Sequence, residues 1–152
     1  MRIDIVAVGR TRPGPERDLF ETYAGRMRWP FGLREVEEKR RLAPADLKRR
    51  EGELLLAAIP EGAVAVALDE TGRNLSSAEI ASRLGAWQDD GRPAVAFVIG
   101  GADGLSDAVR ARAELILSFG RQTWPHMLVR AMLAEQIYRA QQILAGHPYH
   151  RA

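Results

Sequence analysis

The stretch Ala94-Val95-Ala96-Phe97-Val98-Ile99-Gly100-Gly101-Ala102-Asp103-Gly104-Leu105-Ser106 decides the fold. Six apolar residues run unbroken and then stop at a glycine-rich turn. A run of that length bounded by turn residues suits a strand buried on both faces of a parallel sheet. Ser106 is placed to cap a short helix reaching about Ala113. Upstream, Ala63–Leu68 repeats the pattern, and downstream Leu115–Phe119 is a third apolar strand. Between the first two, Ser76-Ser77-Ala78-Glu79 is a capping box opening a helix to about Trp87. The longest helix is predicted over Trp124–Ala145, with Pro125 in its first turn and Gly146 as its stop signal. Its apolar stripe is Val129, Leu133, Ile137, Ala140 and Leu144, and Glu135 with Arg139 makes an i,i+4 pair. Towards the N-terminus, Ile3–Val8 reads as a strand, Arg10–Pro15 as a loop and Glu16–Arg28 as a helix. Phe31–Glu38 reads as a half-exposed strand and Ala45–Ile59 as a further helix. Strands alternating with helices predict an α/β fold, a mainly parallel sheet with helices on both faces. Residues 1–152 form a single domain on this reading.

Composition excludes several classes. At 152 residues the chain can bury a core without disulfides or a structural metal. It has no cysteine, which removes thiolate zinc sites, iron–sulfur clusters and cysteine nucleophiles. Six-residue apolar runs fall far short of the roughly 20 residues of a membrane span. Asp4 interrupts the opening residues too early for a signal peptide. The expectation is a soluble, cytoplasmic protein that uses neither a metal nor a membrane.

A formal net charge of +2 hides a division along the chain. Residues 1–50 carry 13 basic and 8 acidic groups, residues 51–118 carry 5 and 11, and residues 119–152 carry 4 and 1. The last segment also holds all three histidines. Arginine forms forked contacts with phosphate, so the basic ends suit a phosphate-bearing partner, although solvated helix faces produce the same pattern.

Three strand ends offer candidate sites, each weak alone. The Gly100–Gly104 turn lets a ligand approach the backbone, yet it is neither GxGxxG nor a P-loop. Leu68-Asp69-Glu70 ends a strand with adjacent carboxylates, which face opposite sides and read better as turn chemistry before Gly72. Phe119-Gly120-Arg121-Gln122-Thr123-Trp124-Pro125-His126 presents free backbone groups beside a helix start. The tail, Gly146-His147-Pro148-Tyr149-His150-Arg151, is unlike an ordinary chain end, because it combines an aromatic, two imidazoles and a guanidinium. Those groups are the means of holding an extruded base.

Phe-Val-Ile-Gly-Gly-Ala-Asp-Gly-Leu, the Thr123–Ala140 run and the His-Pro-Tyr-His-Arg ending together resemble the RlmH family. Val-Ala-Val-Gly near the start and Ala-Leu-Asp-Glu-Thr-Gly in the middle extend the resemblance over essentially the whole chain. These are SPOUT-class methyltransferases acting on N3 of a pseudouridine in 23S ribosomal RNA. The resemblance implies a SPOUT-type fold with a trefoil knot in the C-terminal half, a homodimer, and S-adenosylmethionine held by the knot loops. It implies cofactor contacts at Leu68, Gly101, Phe119, Gly120, Arg121, Gln122, Thr123 and Trp124. Many relatives read Leu-Ser-x-Met-Thr where this chain has Phe119-Gly120-Arg121-Gln122-Thr123; the resemblance implies contacts there largely through the backbone, so cofactor binding is expected to survive the departure.

Methyl transfer from a sulfonium needs in-line orientation and removal of the N3 proton. His126, Tyr149 and His150 are the candidates for handling that proton or holding the base, and Arg139 and Arg151 for stabilising charge or gripping phosphate. The resemblance also implies that one subunit's tail completes the other's site, on assembled 70S ribosomes. Two other readings stay open: a non-catalytic ribosome-assembly factor with the same fold, and a SPOUT enzyme modifying tRNA.

Overall fold

The computed structural model describes residues 1–149. Ten elements alternate: β1 (Arg2–Val8), α1 (Pro15–Ala24), β2 (Phe31–Val36), α2 (Pro44–Ala58), β3 (Val64–Arg73), α3 (Ser77–Asp89), β4 (Ala94–Ile99), α4 (Asp107–Arg112), β5 (Leu115–Leu117) and α5 (His126–Leu144). The five strands form one sheet in the order β2-β1-β4-β3-β5, and every pairing is parallel. As the unbroken apolar runs predict, β4 is buried along its whole length at the centre.

Side-chain alternation divides the core into two layers. Ile3, Ile5, Val64, Val66, Val95 and Phe97 pack against α1, α3 and α5. Val6, Ala67, Ala94, Ala96 and Val98 face α2 and α4, together with Leu55, Leu105 and Val109. The small alanines on this second face let α2 and α4 lie close to the sheet. Asp4 points to the same face and is fully buried, held by the Arg2 guanidinium at 3.0 Å and by Arg34 at 3.7 Å.

Helix ends follow the sequence signals. Ser76 accepts from the Glu79 N–H (3.1 Å) while the Ser76 N–H donates to the Glu79 carboxylate (2.7 Å), completing the capping box. Ser106 accepts from the Val109 N–H at 3.3 Å. Gly146, at φ +70°, donates to the Ile143 carbonyl and His147 to that of Gln142, a full Schellman stop.

Several boundaries differ from expectation, β2 among them, which ends at Val36 rather than Glu38. Helix α1 ends at Ala24 rather than Arg28, because Gly25 weakens it and the Arg28 N–H donates instead to the Gln141 side chain (2.6 Å). Strand β3 does not turn at Gly72 but continues to Arg73, with a register shift between Leu68 and Arg73. Gly72 makes this possible, since a Cβ there would lie 2.6 Å from the Ile116 carbonyl oxygen. Strand β5 stops at Leu117, where Ser118 turns to bond the Arg73 carbonyl through its own N–H (2.9 Å). Helix α5 begins at His126, with Pro125 as the flanking residue rather than inside the first turn. Leu144, expected in the apolar stripe, is 44% exposed, although it overlies Gly85 of α3.

Candidate active site

A cleft of about 460 Å³ opens at the carboxyl ends of β3, β4 and β5. This is where ligands bind in parallel α/β sheets, and the size suits a nucleoside-sized ligand. Leu68 lines it from mid-β3, where the register shift begins, Gly101 from the turn after β4, and Phe119, Gly120, Gln122, Thr123 and Trp124 from the loop before α5. His126 and Val129 close one side from α5, and Lys48 contributes from α2. Arg121 is exposed and does not line the cleft.

The walls are backbone-built. After β4, the Gly104 N–H donates to the Gly101 carbonyl (3.0 Å) and Gly104 sits at φ +84°, curling the chain tightly. A Cβ on Gly100 would lie 2.9 Å from the Gly104 carbonyl oxygen, and one on Gly101 would lie 2.7 Å from the Glu51 carboxylate. Glu51 is only 7% exposed and its Oε1 has no hydrogen-bond partner. Burial, reinforced by the nearby Asp103 charge, raises its pKa. Opposite, the Trp124 indole N–H donates to the Phe119 carbonyl (3.2 Å), closing the 119–124 loop on itself. The Ser118 hydroxyl accepts from the Gly120 N–H (3.0 Å), which supports Gly120 at φ +106°.

The cleft lining carries three carboxylates, Asp69, Glu70 and Asp103, and two cations, Lys48 and Arg110. Asp69 pairs with Arg110, while Glu70 and Asp103 have no ion-pair partner among the described residues. Burial, and then the neighbouring Arg130 charge, lowers the pKa of His126, so its imidazole is neutral at pH 7. No group of three or more His, Asp or Glu side chains with metal-holding geometry occurs among the described residues.

The tail candidates lie elsewhere. The Tyr149 hydroxyl donates to Glu135 (3.1 Å), which also pairs with Arg139. The Arg139 guanidinium lies 4.9 Å over the Tyr149 ring, and Tyr138 meets that ring edge-on at 4.8 Å. Burial, then the Glu135 charge, pushes the Tyr149 phenol up to about 12. Arg139 lies thirteen residues beyond His126 on α5, about 20 Å along the helix. One chain therefore does not bring Arg139 and Tyr149 to the cleft that His126 borders. His150 and Arg151 lie outside the described residues.

Asp69, Arg110, Lys48 and Glu51 escaped the sequence reading as site residues. Asp69 was visible only as turn chemistry, because its partner Arg110 lies 41 residues away and no local spacing announces the pair. The glycine adjacent to Glu51, Gly52, belongs to no motif, although a Cβ there would collide with the Ser106 hydroxyl.

A family model described as "Predicted SPOUT methyltransferase" matches residues 1–150. The chain is 65% identical over 152 residues to "Ribosomal RNA large subunit methyltransferase H" of Rhodospirillum centenum, covering 100% of both chains. It is 63% identical over 151 residues to the protein of the same name from Paramagnetospirillum magneticum, covering 99% of each. Among solved structures, "a probable methylase family protein from Haemophilus influenzae" superposes with a TM-score of 0.61 at 10% identity. That match covers 99% of this chain and 70% of the other, and at such identity it bears on the fold alone. Sheet order, strand-end cleft and full-length sequence match agree: the chain belongs to the SPOUT methyltransferase family.

Proposed function

We propose that this protein is an S-adenosylmethionine-dependent methyltransferase that methylates N3 of a pseudouridine in 23S ribosomal RNA. It acts as one SPOUT domain per chain, in a cytoplasmic homodimer, on assembled 70S ribosomes. One observation carries the reading: seven of the eight cofactor residues named from the sequence, drawn from three segments distant along the chain, line a single cleft.

The cleft suits the cofactor. Glycines at 100 and 101 leave no side chain between ligand and backbone, and the 119–124 loop presents polar main-chain edges. Glu70 and Asp103 offset a cationic ligand. When bound, S-adenosylmethionine supplies a methyl group already activated on sulfur. The chain then has to orient the base, take its N3 proton and steady the developing charge. Neutral His126 at the cleft edge has a lone pair for the proton. Arg139 and Arg151 are assigned to the charge on the ring or to phosphate. Tyr149, protonated at all working pH, offers a hydrogen bond and a stacking face rather than a base.

The separation of these groups supports the dimer. A groove of about 390 Å³ between α1, α3 and α5 is lined by Leu19, Tyr23, Leu75, Phe119, Met132 and Glu135. Leu19 is 44% exposed there. Phe119 borders both groove and cleft, and Glu135 borders the groove while holding Tyr149. A second copy seated on this groove would carry its tail towards the first copy's cleft. The C-terminal half is taken to be knotted, as the family resemblance implies, and Ser118 lies against the β3 extension through its bonds to the Glu70 and Arg73 carbonyls.

Two measurements follow. Tritium from labelled S-adenosylmethionine is expected to enter 70S ribosomes; binding without transfer would instead favour a non-catalytic assembly factor. The kcat–pH profile is expected to show an acid limb with its midpoint below 6.5, the ordinary histidine value, because protonation of His126 removes the acceptor. His126→Asn should erase that limb and lower kcat by about 10²–10³-fold. An unchanged limb in the variant would assign the proton to another group.

A further inference from the structure

The excess positive charge of residues 1–50 has no role in the cleft beyond Lys48. Five of these thirteen basic residues fall on two neighbouring connections. β1 and β2 end side by side, with the Gly9 N–H donating to the Val36 carbonyl (2.9 Å). Because all strands are parallel, the connections 9–14 and 37–43 leave the sheet at the same end as the cleft. β1 is the direct neighbour of β4, so these connections stand about 5 and 10 Å across the sheet from the glycine turn.

Arg10, Arg12, Lys39, Arg40 and Arg41 on these connections are all exposed. Some are already paired: Arg10 with Glu37 (3.1 Å) and Arg40 with Glu38 (3.0 Å). Arg12, Lys39 and Arg41 have no carboxylate within ion-pair distance among the described residues.

The first of these connections is anchored to α5. Arg130, only 2% exposed, donates to the carbonyls of Val8 (3.0 Å) and Gly9 (2.9 Å) and to the Thr11 hydroxyl (2.8 Å). It also pairs with Glu35 at 2.6 Å. Burial alone would raise the Glu35 pKa, but hydrogen bonds from Thr11 and Arg130 outweigh it, so the carboxylate stays ionised. Arg130 stands one turn beyond His126, so the connection carrying Arg12 is fastened to the helix that borders the cleft. A connection held in place loses less entropy on binding than a free one.

We propose that Arg12, Lys39 and Arg41, with Lys48 at the cleft wall, form a ridge that binds the phosphates of the RNA strand flanking the target nucleotide. The identity of the RNA rests on the methyltransferase reading above; the ridge itself does not. Phosphate contacts position a strand without reading its sequence, and each releases counterions. The ridge therefore acts on substrate capture rather than on the methyl-transfer step.

The test compares Arg12→Glu and Arg41→Glu, made separately, with Arg92→Glu. Arg92 precedes β4 at the opposite end of the sheet, so it changes net charge equally without touching the ridge. Each ridge variant is expected to lower kcat/KM for 70S ribosomes by roughly tenfold and to make the salt dependence shallower by roughly one logarithmic unit per decade of salt. S-adenosylmethionine affinity and kcat at saturating ribosomes should match wild type. Ridge variants that track Arg92→Glu in both kcat/KM and salt slope would overturn the proposal. Salt-dependent filter binding of a 23S fragment by the same three variants tests the ridge even if the wild-type protein transfers no methyl group. There too, equal slopes in all three would overturn it.

Discussion

Removing residues 147–152 is expected to lower methyl transfer to 70S ribosomes by roughly three orders of magnitude while S-adenosylmethionine binding stays within about threefold. The two effects separate because the described tail does not border its own chain's cleft. Tyr149 rests instead on Glu135, Arg139 and Tyr138, towards the far end of α5. Truncation leaves Gly146 in place and removes one hydrogen bond of the helix stop, from His147 to Gln142, at a cost of about 1 kcal/mol. The fold should persist. Tyr149→Phe refines the result, since it keeps the ring against Tyr138 but loses the hydroxyl contact with Glu135. A phenol held at about 12 does not act as a base near neutrality, so this variant should lose far less activity than the truncation. Wild-type rates from the truncated protein would refute a site shared between two tails and two clefts.

Gly100→Val should weaken S-adenosylmethionine binding by about a hundredfold or more, measured by titration calorimetry. Its Cβ alone would stand 2.9 Å from both the Gly104 carbonyl oxygen and the Leu105 side chain. Leu105 is buried, and the Gly104 carbonyl belongs to the tight turn itself, so neither yields cheaply. The turn must move outward, into the space the ligand needs. Retreat on the other side is blocked by Glu51 beneath Gly101. Overpacking of this kind costs about 1–3 kcal/mol, so a melting curve should still show a folded protein. Gly104→Ala is a useful companion: nothing stands near its Cβ, and only the φ of +84° opposes it. Undiminished cofactor binding by a folded Gly100→Val protein would remove the cleft from consideration as the cofactor site.

Much of this architecture is visible in local sequence because its signals are local. The unbroken runs at 63–68 and 94–99, the Ser76 capping box and the Gly146 stop each act within a few residues, and each is found as expected. Where expectation and structure part, a distant partner intervenes. Residues 69–73 carry turn chemistry, yet Ile116 and Ser118 hold them as a strand extension. Helix α1 loses its last turn near a glutamine more than a hundred residues away. The candidate cofactor segments are legible singly as strand ends, and only the sheet order brings them into one cleft. Grouping His126 with Arg139 and Tyr149 comes from the family resemblance. The fold separates them along α5, and that separation makes a second subunit necessary to the account.

The most direct test is mass spectrometry of nuclease digests after incubating 70S ribosomes with the protein and methyl-deuterated S-adenosylmethionine. Ribosomes and tRNA from a strain lacking the endogenous modification serve as substrates. The account predicts one deuterated methyl on N3 of a single pseudouridine in 23S ribosomal RNA, and none on tRNA. A label found on tRNA, on another atom, or nowhere would contradict it.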